Sequence, residues 1–562
     1  MNNKYNHSRF LPLLLAVCVV IGVFIGAFYA SHFSGNRLNI SNANSNKISN
    51  LLHIIDDQYV DTISMNDLVE SSMPQILAEL DPHSTYITAS DMETNNDELK
   101  GSFSGVGISF TIREDTLHVQ NIIANGPAEK AGIVAGDKII AVDGKPFVGK
   151  DCTNENALKR LKGTKGTKVK LGVLRYGEKE MRQFTVTRDD IPQKSISCAY
   201  MLDDKTGYIR IKNFGEATYA EMLVALAKLG AEGFERLIVD LRDNTGGYLV
   251  SAVQIVNEFL PKNKLIVYTK GRKSPREDYR SDGRGSYQQI PLVVLVNEAS
   301  ASSSEIFAGA IQDNDRGTVI GRRSFGKGLV QQPIQFPDGS MVRLTIARYY
   351  TPSGRCIQKP YQQGNEKEYE QDLLSRYQNG EFFSQDSIKN SGPEYHTANG
   401  RVVYGGGGIT PDIFVAEDTS DVTTYYSEAV ISGVLFAFAY NYTDENRSNL
   451  NHFDNIKKME AYLKRQGIVE TFVQYAANHG IKRRNLMIQR SHHLLEKMLI
   501  SRIVYNMMDE SSLLEYLNLD DKVIDAALTV LKENKSFPQP IKTSTDAKDK
   551  KLKASDEKGN KK

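Results

Sequence analysis

A serine in a run of small residues and a lysine 25 positions downstream are the pair whose types and spacing could do chemistry in this sequence. The serine is Ser302, within Asn297-Glu-Ala-Ser-Ala-Ser-Ser-Ser-Glu-Ile306, and the lysine is Lys327, within Gly326-Lys-Gly328. A hydroxyl at the first turn of a helix sits where unpaired backbone N–H groups and the helix dipole stabilise negative charge on oxygen. Such a hydroxyl needs a base to become a nucleophile. No histidine occurs between residues 297 and 331, and the Gly-x-Ser-x-Gly elbow of the α/β-hydrolases appears nowhere in the chain. Lys327 would have to serve, and an ordinary lysine with a pKa of about 10.4 must be lowered by roughly three units, mostly by burial, to be neutral near pH 7.

The elements that must hold this pair are legible on either side of it. Pro291-Leu-Val-Val-Leu-Val296 is a continuous, β-branched apolar run and predicts a strand buried on both faces. Ile306, Phe307, Ala310 and Ile311 then repeat at helical spacing. Three competing readings use the same residues. Ser302-x-x-Glu305 is also a capping box, which would satisfy free N–H groups at a helix start without any chemistry. The segment from Gly321 to Lys327 is a phosphate-loop pattern in which Gly328 replaces the magnesium-holding Ser or Thr, and the Pro-containing, alternating sequence after it is not the helix such a loop needs. Ser324-x-x-Lys327 imitates the motif of penicillin-recognising enzymes but lacks their Lys-Thr-Gly.

The serine in a small-residue run, the x-x-Glu after it and the later Gly-Lys-Gly-x-x-Gln resemble the carboxyl-terminal processing proteases, tail-specific serine endopeptidases with a Ser-Lys dyad and a PDZ domain. The resemblance implies Ser302 as nucleophile, Lys327 as general base and Gln331 as the residue that orients the lysine. Glu305 belongs to the motif with no settled role. Asp240-Leu-Arg-Asp-Asn-Thr-Gly-Gly247 matches the family's Asp-Leu-Arg-x-Asn-x-Gly-Gly. There the resemblance implies an oxyanion hole built from the N–H of Gly246 or Gly247 together with that of Ser303. Leu80-Asp-Pro-His-Ser84 is also similar to a family segment, with His83 read as a structural residue beside a proline turn. Gly405 to Gly408 with Ile409-Thr-Pro-Asp412 extends the similarity to about residue 415.

Between Ser104 and Arg188, four blocks in order resemble a PDZ domain: Gly105-Val-Gly-Ile108, Gly126 to Gly132, Gly136 to Gly144 and the helix near Asn156 to Lys162. Gly105, Val106, Gly107 and Ile108 would form the loop whose converging N–H groups hold a peptide's terminal carboxylate, with Val106 and Ile108 lining the pocket. The alternating Ile108-Ser-Phe-Thr-Ile112 would be the edge strand that an incoming strand joins.

The expected fold class is multidomain α/β. Residues 1–36 form a membrane anchor or signal segment, since Lys4 and Arg9 precede an uncharged run from Phe10 to Ala30, and Phe28 disfavours cleavage before Ser31. An anchor with its basic end in the cytoplasm would place the rest on the periplasmic side of the inner membrane, in the cell envelope. Residues 37–100 read as helical and 101–190 as the PDZ domain; 191–420 read as an α/β core, which the resemblance implies is crotonase- or ClpP-like, carrying a polar, irregular surface insertion at 358–400. Residues 421–535 read as helical, and the resemblance implies support of a homo-oligomer there; 536–562 are Lys-rich and apolar-poor, the composition of a disordered tail. A formal net charge of +1 gives no sign of a nucleic-acid partner. Four cysteines without Cys-x-x-Cys spacing, and His492-His493 pointing to different sides of a helix, support neither a metal nor a cofactor. The expected partners are proteins with exposed C-terminal tails, delivered directly or by an adaptor. The alternative of another class is a catalytically silent PDZ scaffold that binds tails on the same fold.

Overall fold

A computed structural model describes residues 16–25, 44–92, 101–175, 178–389 and 392–533. The chain divides into two units, residues 1–76 and 77–562. The first contains an exposed helix over 16–25, the helix Asn44–Gln58 and most of the helix Met65–Ala78. Among the described residues no helix is long and apolar enough to cross a membrane. Much of the expected anchor, and all of 536–562, lie outside the described residues.

The second unit is built around a six-stranded sheet. Thr206–Ile211, Arg236–Asp240, Leu292–Val296, Thr318–Gly321 and Ile413–Phe414 run parallel in that order, with Ile196–Met201 antiparallel at one edge. Side chains alternate between the two faces of each strand, and both faces are covered. Leu237, Val239, Val294, Val296 and Val319 pack with the helices Thr218–Glu232, Leu249–Asn257 and Ser303–Asp313. Tyr208, Ile238, Val293, Leu295 and Ile320 pack with Val523, Ile524, Ala527 and Leu531 of the helix Lys522–Lys532. The last helix of the 421–535 region is therefore a layer of the core. Its N-terminus is also fastened there, because Arg242 bridges the fully buried Asp240 to Asp521, the N-cap of that helix. Burial alone would raise the Asp240 pKa; Arg242, Arg210 and the Tyr208 hydroxyl reverse that and hold it low.

A second sheet has the long strand Met341–Tyr350 at its centre, paired with Leu329–Gln335, Leu265–Lys270 and Thr85–Ile87. The strand Thr85–Ile87 lies within the 37–100 region, whose sequence reads as helical with a breaker at Leu80-Asp-Pro-His-Ser84. Leu80-Asp-Pro-His-Ser84 ends the helical stretch, and the chain then adds a strand to this sheet. Asp81 shapes the turn by accepting from the His83 and Ser84 N–H groups and from the hydroxyls of Ser84 and Thr345.

The PDZ-like residues form their own sheet, with Ile108–Arg113 at its edge and Leu117, Val119, Ile139, Val169 and Leu171 in its core. Thr153 caps the helix Asn154–Leu161, which buries Ala157 and Leu161 against it. A two-stranded stem, Ser102–Gly105 against Asp189–Pro192, joins this domain to the rest of the unit. The outer face of its sheet meets the helical region. Arg113 donates to Asn441 and to the Ala437 carbonyl, His118 bonds the Tyr440 hydroxyl at 3.2 Å, and Asn121 donates to the Tyr505 carbonyl.

The 358–400 segment differs from the irregular surface insertion read from its polar composition. It contains the helices Glu366–Glu370 and Asp372–Gln378, and Tyr369, Arg376, Glu381 and Phe382 are buried. Arg376 donates to the carbonyls of Arg323 and Ser324, and Lys359 lies over the rings of Phe325 and Tyr369. Polar residues here form the underside of the loop that carries Lys327, which is why composition alone reads as surface.

Candidate functional site

Ser302 lies between the buried strand Leu292–Val296 and the helix Ser303–Asp313, as the hydrophobic pattern predicts. Its backbone has φ 54° and ψ −113°, a conformation few L-residues adopt. Such strain, of order 1–3 kcal/mol, persists only where the surroundings fix it. They do so here. Ser300 Oγ donates to the Leu241 carbonyl, Ala301 N–H and Ser304 Oγ to the Asn244 carbonyl, and Ser303 Oγ to the Gly247 carbonyl. The small-residue run thus stitches the turn at Ser302 to the 241–247 loop. Ser302 and Glu305 also form the capping box, and the Glu305 N–H reaches the Ser302 carbonyl at 2.9 Å. The capping role read from the spacing is therefore present in the structure.

The glycines explain the close approach. A Cβ on Gly246 would stand 2.7 Å from the Ser302 Cβ, and one on Gly247 would stand 2.2 Å from the Phe214 carbonyl oxygen. Their N–H groups differ. Gly246 donates to Asn244 Oδ1 at 2.8 Å, whereas the N–H groups of Gly247 and Ser303 donate to no acceptor among the described residues. Asn244, fully buried, also donates to the Ile211 carbonyl and so fixes this turn. Its position in the glycine motif was legible, but its work depends on a strand far away in sequence.

Lys327 and Gln331 occupy the facing wall, at the entry to the strand Leu329–Gln335. Lys327 Nζ donates to Gln331 Oε1 at 3.4 Å, and Gln331 Nε2 donates to the His83 carbonyl. Burial pushes the Lys327 pKa below that of an ordinary lysine, and the nearby Arg343 adds to the effect against Glu305 and Asp81. Burial, then the charge on Lys327, also lowers His83 to about 4, so its ring is neutral. The ring meets the Tyr369 hydroxyl at 2.8 Å, which makes His83 a buttress behind Gln331. Ser302, Lys327, Gln331, Gly246, Gly247 and Ser303 all line one cavity of about 400 Å³, with no direct hydrogen bond between the Ser302 and Lys327 side chains. Sequence reasoning missed Tyr349, whose buried hydroxyl faces the carbonyls of both Ser302 and Lys327, at 3.1 and 2.5 Å. Nothing in its spacing marks it, since it lies 47 residues beyond the serine.

In the PDZ-like domain, Gly107 has φ 77° and precedes the edge strand that begins at Ile108. Gly105 closes the stem strand near the end of the helix Asn154–Leu161. Ile108 is half-buried, while Val106 is buried in the domain core with its carbonyl accepting from Ala128 N–H.

Comparison with known proteins defines the class. Residues 205–368 match the model of peptidase family S41, residues 104–187 that of the PDZ domain, and residues 425–509 a family of unknown function. The molecule is a serine-type peptidase that carries a PDZ domain. It is 35% identical over 348 residues to a carboxy-terminal-processing protease of Bartonella bacilliformis, covering 60% of this chain and 79% of that one. It is 37% identical over 297 residues to a carboxyl-terminal-processing protease of Synechocystis, covering 51% and 68%. Among solved structures, the photosystem II D1 C-terminal processing protease aligns at 25% identity over 66% of this chain and 94% of that chain, with a TM-score of 0.33. The chain belongs to the S41 family of carboxyl-terminal processing proteases.

Proposed function

We propose that the protein is an endopeptidase that binds the C-terminal tail of a protein substrate at its PDZ domain and cleaves a peptide bond by Ser-Lys chemistry. The observation that carries this reading is one cavity holding a strained serine, a half-buried lysine whose pKa is lowered, and unpaired backbone N–H groups. In the proposed sequence, neutral Lys327 Nζ turns from Gln331 and takes the proton of Ser302 Oγ as the oxygen attacks the substrate carbonyl carbon. The N–H groups of Gly247 and Ser303 receive the oxyanion, a choice favoured over Gly246 because the Gly246 N–H already donates to Asn244 Oδ1. The lysine ammonium then passes its proton to the leaving amine as the C–N bond breaks, leaving an acyl ester on Ser302. Water attacks the ester, its proton goes to Lys327, and the protonated lysine returns it to Ser302 on release. Gln331, held by the His83 carbonyl, parks the amine between turnovers.

The edge strand Ile108–Arg113 and the glycine turn before it suit a tail that adds as a strand. The charge-free run from Phe10 to Ala30 behind two basic residues supports a place in the cell envelope, with the catalytic unit on the extracytoplasmic side. A direct test compares wild type and Ser302→Ala on unfolded, tail-bearing protein substrates, with the new termini mapped by mass spectrometry. Wild type is expected to create new C-termini and Ser302→Ala none. Tail binding without cleavage by wild type would leave the scaffold reading standing.

A further inference from the structure

Glu305 is fully buried, and its two oxygens take four neutral donors. Oε2 accepts from the N–H of Ser302 at 2.9 Å and from the N–H of Lys327 at 2.8 Å, so one atom ties the backbone of the serine to that of the lysine. Oε1 accepts from the Gly326 N–H at 2.7 Å and from the Ser324 hydroxyl at 2.5 Å. That hydroxyl also accepts from the Ile409 N–H. Only the ionised carboxylate can accept from all four. Capping needs one of these bonds, and the other three reach 19 to 22 residues along the chain.

We propose that Glu305 is the positioning residue of the dyad: its carboxylate fixes the separation of Ser302 and Lys327 and sets how readily the lysine takes up a proton. This rests on the Ser-Lys reading above. A desolvated anion beside Lys327 stabilises the ammonium form and so opposes burial, which lowers the lysine's pKa. Burial pushes Glu305 itself up to about 7, against its hydrogen bonds, which places its ionisation near neutral pH. Lys327 and Lys359 are the charged groups facing it; Tyr349, Tyr369 and Cys356 also face it and are kept neutral by burial. Arg343, Asp81 and the neutral His83 face Lys327.

The test is the pH profile of peptide cleavage by full-length Glu305→Gln and Ser324→Ala, with folding checked by thermal unfolding. In Glu305→Gln, kcat is expected to fall about 100-fold with little change in KM, since the dyad is misplaced while the binding surfaces are not. The acid limb of kcat/KM is expected to move down by about one pH unit or more, because the anion that favours the ammonium is gone. Ser324→Ala keeps the carboxyl group and removes one donor to it, so the carboxyl takes up its proton at higher pH, less of the anion faces Lys327, and the limb moves down, by less than in Glu305→Gln. Wild-type kcat in Glu305→Gln, or a loss with an unmoved limb, overturns the proposal. Should Glu305→Gln fail to fold, an unmoved limb in Ser324→Ala overturns it. An active Lys327→Ala would instead remove the dyad reading on which it rests.

Discussion

Lys327→Ala is expected to lower kcat/KM by about 10⁴-fold or more, the scale seen when one member of a catalytic unit is removed. The fold should survive this change. The Lys327 side chain makes one long hydrogen bond, to Gln331 at 3.4 Å, and its buried amine is held against a desolvation cost that alanine does not bear. The backbone N–H that anchors the loop to Glu305 is retained. Cleavage of a tail-bearing peptide and thermal unfolding, measured on the same preparation, separate the two effects: activity disappears and the unfolding temperature stays or rises. A folded variant with wild-type turnover would show that another group removes the Ser302 proton.

Gly246→Ala is the second large effect. The added methyl would lie 2.7 Å from the Ser302 Cβ, 2.9 Å from the Ala301 carbonyl oxygen and 3.0 Å from the Ser303 nitrogen. None of these is the free end of a flexible side chain, so the strained serine itself must move. The glycine's φ of 106° adds backbone strain of about 1–3 kcal/mol for any L-residue. Displacing a reacting group by about 1 Å costs on the order of 100-fold in rate, so kcat is expected to fall at least that far while tail binding at the PDZ domain is unchanged. Peptide affinity by fluorescence anisotropy and kcat from the same peptide measure both. A variant that keeps wild-type kcat would show that the 246–247 turn does not meet the nucleophile in the working enzyme.

The elements that hold Ser302 were readable because they obey short-range rules. A run such as Leu292–Val296 has one comfortable place, between two layers, and Ile306, Phe307, Ala310 and Ile311 point to one face of one helix. The pairing of Ser302 with Lys327, Gln331 and the glycine turn was legible only through resemblance, since nothing in their spacing states that two sheets bring them to one cavity. Three features stayed hidden because burial changes the work a residue does. Glu305 looks like a helix cap until its other acceptor sites are counted. Arg376 and Tyr369 look like surface until they are seen under the Lys327 loop. The helix Lys522–Lys532 reads as part of a separate helical region, yet it closes the second face of the core sheet. Asn244 and Tyr349 act across strand pairings, which one sequence does not reveal.

The central claim is that the Lys327 amine is uncharged when Ser302 reacts. A lysine whose pKa is lowered is neutral over a wider range, so activity is lost as pH falls through that lowered value and is present above it. The most direct measurement follows the Lys327 Nζ resonance by NMR across pH in lysine-labelled protein, assigned by its absence in Lys327→Ala. The expected result is a titration well below that of the other lysines, at the same pH as the acid limb of kcat/KM. An Nζ that titrates with ordinary lysines, near about 10.4, while the enzyme is fully active at pH 7 would contradict the account.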